Sequence, residues 1–344
     1  MTGRNGSVPI SRPGAGATRH NGSAHTAARL AERDGFDGGR RLGSTRSVAV
    51  VSEFDGFHAG HRMLLDTGFE LSRRERLPLQ VVIVDDPHLR DRVDTINSRR
   101  ADALAAGADD VHVLSVESAT SAESSADAAK SIADLVHPAV VLLAELPGRE
   151  CDARYPTLRS RLHELGLPVV EVPRALDNGG VRISSARVRA AVTAGQVVEA
   201  ARWLARPFTR AGIVVHGRAR GRTIGFPTAN VVPSMGLLVP QRGVYAARVA
   251  IKGGTVHDAA LNVGVRPTVE HDGVLLLEAH LLDFDGDLYG QRIRMEFHAR
   301  IRDEVAFDGL DSLVAQLRVD VETVRDALTP DRTDLLRENR TRSS

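Results

Sequence analysis

The chain has 344 residues, a formal net charge of +1, 42% hydrophobic residues and 26% charged residues. This length is sufficient for two domains with separate cores, and the near-neutral charge gives no reason to expect a nucleic-acid partner. No apolar stretch is as long as a membrane helix, and the single cysteine, Cys151, excludes an internal disulfide framework. We therefore expect a cytoplasmic protein without a membrane partner, whereas its oligomeric state stays open.

The first 46 residues differ in composition from the rest of the chain. They contain nine glycines and eight arginines against three acidic residues, with few residues that could build a core. Such a segment cannot bury enough apolar surface to offset the entropy of ordering it. We predict a disordered tail at 1–46, and a basic arm that binds nucleic acid is the less favoured alternative. A secretory signal would need an apolar segment that is absent here.

Residues 47–195 alternate short apolar runs with helical periods. This alternation indicates a parallel sheet covered on both faces, with ligand-binding loops at the carboxyl ends of the strands. The predicted strands are Val48–Val51, Leu79–Val84, Val111–Leu114, Val140–Leu143 and Val169–Val172. The predicted helices are His61–Arg74, Arg99–Ala106, Ala126–Leu135 and Tyr155–Leu165.

The pattern changes after a short helix and linker at 196–210, where Trp203 is expected at the domain junction. Short strands without intervening helices indicate a small antiparallel barrel or sandwich at 211–330. The predicted strands are Gly212–His216, Gly243–Ile251, Ala259–Val263, Val274–Leu282 and Arg292–Ala299. A final amphipathic helix at 310–328 is expected to pack on the barrel, followed by a polar tail at 331–344. Its predicted apolar face is Leu310, Leu313, Leu317, Val321 and Val324.

Two runs in this second half predict a phosphoryl-transfer site. The first, at 217–230, reads GRARGRTIGFPTAN, and the second, at 277–290, places the carboxylate of Glu278 in an apolar stretch. Glycines let a backbone approach an anion closely, arginines neutralise it, and the hydroxyl of Thr228 and the amide of Asn230 could hold a metal ion. Glycine recurs at every fourth position, as Gly217, Gly221 and Gly225.

Each of these residues also has a purely structural explanation. The glycines could permit turns, Thr228 and Asn230 could bond to the backbone of a turn, and Glu278 could be an exposed strand residue. The arginines could form a solvated charged run. Taken singly, these explanations are favoured, whereas the order and spacing of the whole set favour the site.

The two runs resemble the riboflavin kinase domain of the bacterial bifunctional riboflavin kinase/FAD synthetase family, over about residues 211–320. The resemblance implies a six-stranded barrel that transfers the γ-phosphate of ATP to the ribityl 5′-hydroxyl of riboflavin, giving FMN. Five motifs occur in the family's order, at 217–230, 243–245, 262–268, 278–290 and 300–307.

The same resemblance implies a role for each matching residue. Thr228 and Asn230 would hold Mg²⁺, and Glu278 would accept the proton of the attacking hydroxyl. Arg302 and Phe307 would border the flavin. The implied ATP- and phosphate-binding residues are Gly217, Arg220, Gly221, Arg222, Gly225, Thr228 and Asn230.

The N-terminal half contains a candidate adenylyl-transfer site. The run His58-x-Gly-His61 precedes a predicted helix, whose N-terminus favours an anion. Together with the later run RISSARVR at 182–189, it resembles the Rossmann-like nucleotidyltransferase domain of the same family, which converts FMN to FAD. The implied site residues are His58, Gly60, His61, Ser184, Ser185 and Arg189.

This half also departs from the family pattern. Ser52 stands where the family has glycine, and Ala186 replaces a phosphate-binding hydroxyl. Residues 144–149 lack the family's aromatic flavin segment, and only Asp85-Asp-Pro-His88 remains of another motif.

These departures leave several functions open. We predict a riboflavin kinase with a divergent adenylyltransferase-like domain, and the full bifunctional enzyme is the first alternative. The N-terminal domain could instead serve assembly or regulation of the kinase, or take a different nucleotide. The chain as a whole could also be a non-catalytic sensor of flavin or nucleotide.

Overall fold

The computed structural model describes residues 46–116, 122–145, 154–217, 220–266 and 274–329. The predicted tails, apart from residue 46, lie outside these ranges. Within them the chain forms a parallel sheet with helices, then a closed antiparallel barrel and a final helix, which confirms the predicted fold class. No helix in the described ranges is both long and apolar enough to cross a membrane.

The N-terminal sheet is parallel throughout, with strand order β3-β2-β1-β4-β5. Along β1, Val48 and Val50 enter one core and Ala49 and Val51 enter another, so both faces of the sheet are covered. The strands are β1 (Ser47–Ser52), β2 (Leu79–Asp85), β3 (Asp110–Ser115), β4 (Pro138–Ala144) and β5 (Val169–Val172). The helices are α1 (Ala59–Glu75), α2 (Ile96–Ala105), α3 (Ala122–Val136) and α4 (Arg154–Glu164).

The strand order of this sheet reverses between β1 and β4. In open α/β sheets a ligand crevice lies outside the carboxyl ends of the strands at such a point. The loop that follows β1, residues 53–58, runs from this edge into α1. The fold therefore places the His-x-Gly-His run where such sheets bind ligands.

The C-terminal barrel is closed, with strand order β10-β7-β6-β11-β8-β9. Strand β7 is missing from the sequence prediction, which interpreted the segment after Pro227 as a turn. It is short and contains Asn230 and Pro233, which disfavour strands, so local composition hides it. The strands are β6 (Phe208–Val215), β7 (Ala229–Pro233), β8 (Gly243–Ala250), β9 (Val256–Arg266), β10 (Val274–Leu281) and β11 (Arg292–Arg302).

The two halves share one hydrophobic core at their junction. Helices α5 (Ser185–Thr193) and α6 (Val197–Leu204) connect the sheet to the barrel. Trp203 lies in a buried cluster with Val93 of the first half and Phe297 of the barrel, in agreement with its predicted place. The guanidinium of Arg210, 2% exposed, donates a 2.9 Å hydrogen bond to the carbonyl of Val93. Apolar packing and a buried hydrogen bond thus fix the junction.

The final helix, α8 (Leu310–Leu328), packs on the outside of the barrel. Its contacts come from its C-terminal part, through Val321, Val324 and Leu328. The predicted face also included Leu310, which is 65% exposed, so that part of the prediction is wrong. A hydrophobic stripe gives the face of a helix, but the neighbouring strands decide how much of it is covered.

Replacing Trp203 by alanine tests the shared core. Trp203 is 9% exposed, so we expect Trp203→Ala to lower the free energy of unfolding by about 3 kcal/mol. The control is Phe69→Ala, because Phe69 is 40% exposed and should cost less than about 1 kcal/mol. Urea unfolding followed by circular dichroism measures the free energy of unfolding of both variants. Equal losses would contradict the assignment of Trp203 to the hydrophobic core that the two halves share.

Candidate functional site

Strand register places Glu278 between two asparagines. On β10, Glu278 lies opposite Asn230 of β7 on one side and opposite Asn262 of β9 on the other. Directly opposed residues of antiparallel strands have Cβ atoms about 5 Å apart on the same face. The sequence neighbours Leu277 and Ala279 are fully buried in the core, so Glu278 projects from the outer face. A carboxylate and two amides therefore meet outside the barrel.

Gly217 packs directly on the side chain of Asn230. A Cβ added to Gly217 would lie 2.1 Å from Nδ2 and 2.8 Å from Oδ1 of Asn230. No side chain fits in that space, so glycine is required here for close approach rather than for a turn. Asn230 is 6% exposed, and its amide is held against the backbone of the glycine-rich run.

The glycine-rich run folds back on itself before it enters β7. The amide N–H of Phe226 donates to the carbonyl of Gly221 at 2.8 Å, around a short helical turn, α7 (Arg220–Thr223). Gly225 has a φ of +84°, which glycine adopts without strain. At the end of the loop, the carbonyl of Pro227 lies 2.8 Å from Nδ1 of His280. His280 is two residues after Glu278 on β10 and therefore lies on the same face of the strand.

The loop holds exposed groups beside the buried amide of Asn230. Thr228 and Arg222 are both exposed, and an added Cβ on Gly221 would lie 3.6 Å from the Thr228 hydroxyl. The side chain of Arg220 and residues 218–219 lie outside the described part of the chain. The structure therefore brings Gly217, Gly221, Thr228, Asn230 and Glu278 together on the outer face of the barrel.

Asn262 and Glu304 belong to this site, although neither was singled out from the sequence. Nδ2 of Asn262 donates to Oε1 of Glu304 at 3.4 Å, and the same oxygen lies over Gly264. Both residues fall inside family-like motifs, so the motif at 262–268 was the available signal. The described part of that motif ends at residue 266.

Arg302, a predicted flavin-binding residue, pairs with the last helix. Its Nε and Nη2 donate to the two carboxylate oxygens of Asp320 at 2.8 and 2.6 Å. The guanidinium also lies 5.9 Å from the ring centre of Phe307. Arg302 and Phe307 are thus neighbours, but Nε and Nη2 of Arg302 are bonded to the carboxylate of Asp320.

In the N-terminal half, His58 and His61 stack at the start of α1. Their ring centres are 3.8 Å apart, and the side chains are 5% and 6% exposed. Nδ1 of each ring is buried and has no hydrogen-bond partner among the described residues. Such unpaired buried nitrogens are costly in a folded protein and require an explanation.

Burial keeps both imidazoles neutral. Desolvation lowers the pKa of His58 to about 4, against a smaller opposing effect of Asp55. Desolvation, then the neighbouring His58, Arg99 and Arg174, lowers the pKa of His61 well below its usual value. Neutral imidazoles can each donate one hydrogen bond and accept another, so they suit a polar or anionic ligand.

One of the two serines of the run at 182–189 reaches the histidine pair. The hydroxyl of Ser185 lies 3.4 Å from Nε2 of His58. Ser184 instead caps α5, because its hydroxyl accepts the amide N–H of Arg187 at 3.3 Å. Gly60 lies against the His58 ring, since an added Cβ would approach it to 3.1 Å.

Arg189, predicted to bind phosphate, pairs with a buried carboxylate. It donates to Asp55 at 2.6 Å, and Arg99 donates to the other oxygen of Asp55 at 2.9 Å. Asp55 is fully buried and Arg99 is 1% exposed. A buried carboxylate shared by two guanidinium groups stabilises the loop before α1, and removing one partner would leave an unpaired buried charge.

The departures from the family pattern lie at this same edge. Ser52 ends β1, Ala186 lies in the first turn of α5, and Asp85 ends β2, where it pairs with Arg92 at 3.1 Å. The segment that should carry the flavin aromatics, from residue 146 onward, lies outside the described residues.

Comparison with known families identifies the barrel. Residues 204–328 match the family model for riboflavin kinase, or flavokinase. The barrel therefore matches the riboflavin kinase domain family over its whole length. The match includes every residue predicted for the kinase site and extends to the end of α8.

Curated relatives combine this domain with a second activity. The chain is 43% identical over 161 residues to the bifunctional riboflavin kinase/FMN adenylyltransferase of Pseudomonas fluorescens, covering 47% of this chain and 51% of the relative. It is 46% identical over 149 residues to the protein of the same description from Escherichia coli K12, covering 43% and 47%. The matched part therefore spans about half the length of these relatives.

One solved structure matches across both halves. It is titled a macrolide-efflux protein from Streptococcus pneumoniae, with a TM-score of 0.69 and 29% identity. The alignment covers 84% of this chain and 97% of that protein. The arrangement of a parallel sheet followed by a barrel therefore occurs in another protein.

The buried histidines predict a pH dependence of stability. Because the pKa of His58 falls from 6.5 to about 4 on folding, the unfolded chain binds more protons between these pH values, and stability falls as pH falls. Each such histidine contributes up to about 1.4 kcal/mol per pH unit. We expect the free energy of unfolding of His58→Gln to depend less steeply on pH than that of the wild type, because one of these contributions is lost. Urea unfolding between pH 4 and 7 measures this slope.

His163→Gln is the control for this measurement. His163 is exposed on α4, so its replacement should leave the slope of stability against pH as in the wild type. A wild-type slope in His58→Gln would contradict the inferred neutrality of the buried ring.

Proposed function

We propose that this chain is an ATP-dependent riboflavin kinase that makes FMN. The observation that carries the proposal is the row Asn230–Glu278–Asn262 on the outer face of the barrel, with Gly217 packed against Asn230. The match of residues 204–328 to the riboflavin kinase family and the named activity of the curated relatives support it. A cytoplasmic location and the lack of a nucleic-acid partner stay predictions from composition.

The chemistry follows from what each group can do. The ribityl 5′-oxygen of riboflavin attacks the γ-phosphorus of ATP, an O–P bond forms, and the bond to the β–γ bridging oxygen breaks to release ADP. Glu278 accepts the proton of the attacking hydroxyl. The loop at 217–228 holds the nucleotide beside that row, since phosphoryl transfer depends chiefly on positioning and charge neutralisation.

Mg²⁺ fits the oxygen atoms available there. The Thr228 hydroxyl, the Asn230 amide oxygen and the Glu278 carboxylate are hard ligands of the kind this ion prefers, and it retains waters and phosphate oxygens as further ligands. We propose that Thr228 and Asn230 are the residues that bind it. When bound, Mg²⁺ would neutralise charge on the phosphates.

Replacing the base tests the kinase assignment. Purified protein with riboflavin, ATP and Mg²⁺ should make FMN, and Glu278→Gln should lower kcat about 100-fold or more while riboflavin binding persists. The matched control is Glu296→Gln on β11, whose carboxylate pairs with Arg294 away from the row. Normal turnover by Glu278→Gln would show that the base is wrong. No FMN from the wild type would favour a non-catalytic sensor.

A second candidate activity, FMN adenylyltransfer, is favoured by the histidine pair. His58 and His61 lie at the N-terminus of α1, at the carboxyl edge of the parallel sheet, and their buried Nδ1 atoms have no hydrogen-bond partner among the described residues. A triphosphate that accepted hydrogen bonds there would satisfy them. Against this activity stand Ala186, which has no hydroxyl, and Arg189, whose guanidinium is paired with Asp55.

Separation of the flavin products decides between the two enzymes. If the N-terminal site is active, wild-type protein given riboflavin and ATP makes FAD as well as FMN, and His61→Ala makes FMN alone. FMN formation serves as the internal control for a folded variant. FMN without FAD from the wild type would restrict the chain to the kinase reaction.

A further inference from the structure

We propose that Asp320, on α8, is a positioning residue for the acceptor side of the kinase site. It acts through Arg302, and the proposal rests on the riboflavin kinase activity proposed above. Asp320 does not lie in any of the five motifs, and nothing in its sequence neighbourhood suggests a role.

The pair Asp320–Arg302 has the geometry of a strong, buried contact. Both carboxylate oxygens accept from the guanidinium, at 2.8 and 2.6 Å, and the side chain of Asp320 is 3% exposed. Gln316, one turn earlier, donates to the same carboxylate at 2.9 Å. Bidentate charge-assisted bonds fix orientation as well as distance, so the end of β11 is fixed against α8.

Arg302 lies in the same cross-strand row as Glu278. It pairs with Val244 of β8, Val244 pairs with Asn262 of β9, and Asn262 pairs with Glu278. Three strand spacings separate Arg302 from Glu278, about 14 Å along the curved sheet. The outer face of the strands between them is the face on which α8 packs.

The segment after Arg302 bridges this gap. Two residues on, the side chain of Glu304 accepts a hydrogen bond from Asn262 at 3.4 Å and so reaches the residue that lies opposite Glu278 on β9. Asp320 holds Arg302, the segment 302–304 holds Asn262, and Asn262 flanks the base. The steps Asp320–Arg302 and Glu304–Asn262 are side-chain hydrogen bonds. The backbone joins Arg302 to Glu304, and strand register places Asn262 opposite Glu278.

This path lies on one side of Glu278, and the nucleotide loop lies on the other. Gly217, Thr228 and Asn230 approach from β7, whereas Asn262 and Glu304 approach from β9 and β11. The base must reach the proton of the acceptor hydroxyl, and the oxygen of that hydroxyl must face the γ-phosphorus of the nucleotide. The nucleotide loop takes the β7 side of Glu278, which leaves the other side for the acceptor. The side of Asn262 and Glu304 is therefore where the acceptor, riboflavin, enters.

The same helix offers a matched control. Arg325 donates to both oxygens of Asp283 at 2.9 Å, an equally bidentate pair between α8 and the barrel. The side chain of Asp283 is 74% exposed. No hydrogen bond or ion pair among the described residues joins this pair to Glu278. Asp283→Asn therefore makes the same chemical change on the same helix without touching the acceptor side.

The experiment measures the KM for riboflavin and the KM for ATP in full-length variants. The variants are Asp320→Asn, Arg302→Lys, their double variant and Asp283→Asn. We expect Asp320→Asn to raise the KM for riboflavin about tenfold and to leave the KM for ATP within about twofold of wild type. Arg302→Lys keeps the positive charge but loses the bidentate hydrogen bonds to Asp320, so it should raise the KM for riboflavin to a similar extent. The double variant should be no worse than either single variant, because both break the same pair. Asp283→Asn should match the wild type.

Other outcomes overturn the proposal. They are a wild-type KM for riboflavin in both single variants, or equal rises in both KM values, as a loosened barrel would give. If Asp320→Asn does not fold, Arg302→Lys decides by the same criteria. FMN formation with an unchanged KM contradicts this proposal alone, whereas no FMN from the wild type contradicts the proposed function and this proposal with it.

Discussion

The register of the closed barrel is the constraint on which the proposed kinase site depends. Leu277 and Ala279 are fully buried, which forces Glu278 outward and aligns it with Asn230 and Asn262. A slip of one residue would turn Glu278 into the core and expose its neighbours, so the hydrophobic core itself fixes the position of Glu278, the proposed base. Barrel closure also brings β7, with Asn230, beside β10, although 48 residues separate Asn230 from Glu278 along the chain.

The N-terminal site depends on a different interaction, the buried carboxylate of Asp55. Two guanidinium groups, of Arg99 and Arg189, neutralise it, and its Oδ1 also accepts the amide N–H of Asp94 at 3.0 Å. Asp94 in turn pairs with Arg206 at 2.6 Å, at the start of the barrel half. The loop before the histidine pair and the domain junction therefore share one charged network. Arg99 and Arg189 neutralise Asp55, so fewer positive charges remain to bind a ligand at the carboxyl edge of the parallel sheet.

Much of the fold was predictable because its periodicities are local. Most strands of the parallel sheet contain short apolar runs, and successive short strands without intervening helices predicted the barrel. Strand β7 was missed, since a five-residue strand with asparagine and proline carries little local signal. The pairing of Arg302 with Asp320 was equally invisible, because it joins the end of a strand to a helix residue 18 positions later through a packing angle that no local pattern encodes.

The amino-acid sequence alone specifies the order of the two halves, the chemical groups of each site and the glycines that such sites need. These properties belong to residue types and short spacings, which folding does not alter. Which of these groups meet depends on the tertiary structure. It placed Gly217 on Asn230, turned Arg189 toward Asp55 and brought Glu304 to Asn262. Such contacts depend on strand register and on the competition of buried charges for partners, and both are settled by the packing of the whole chain.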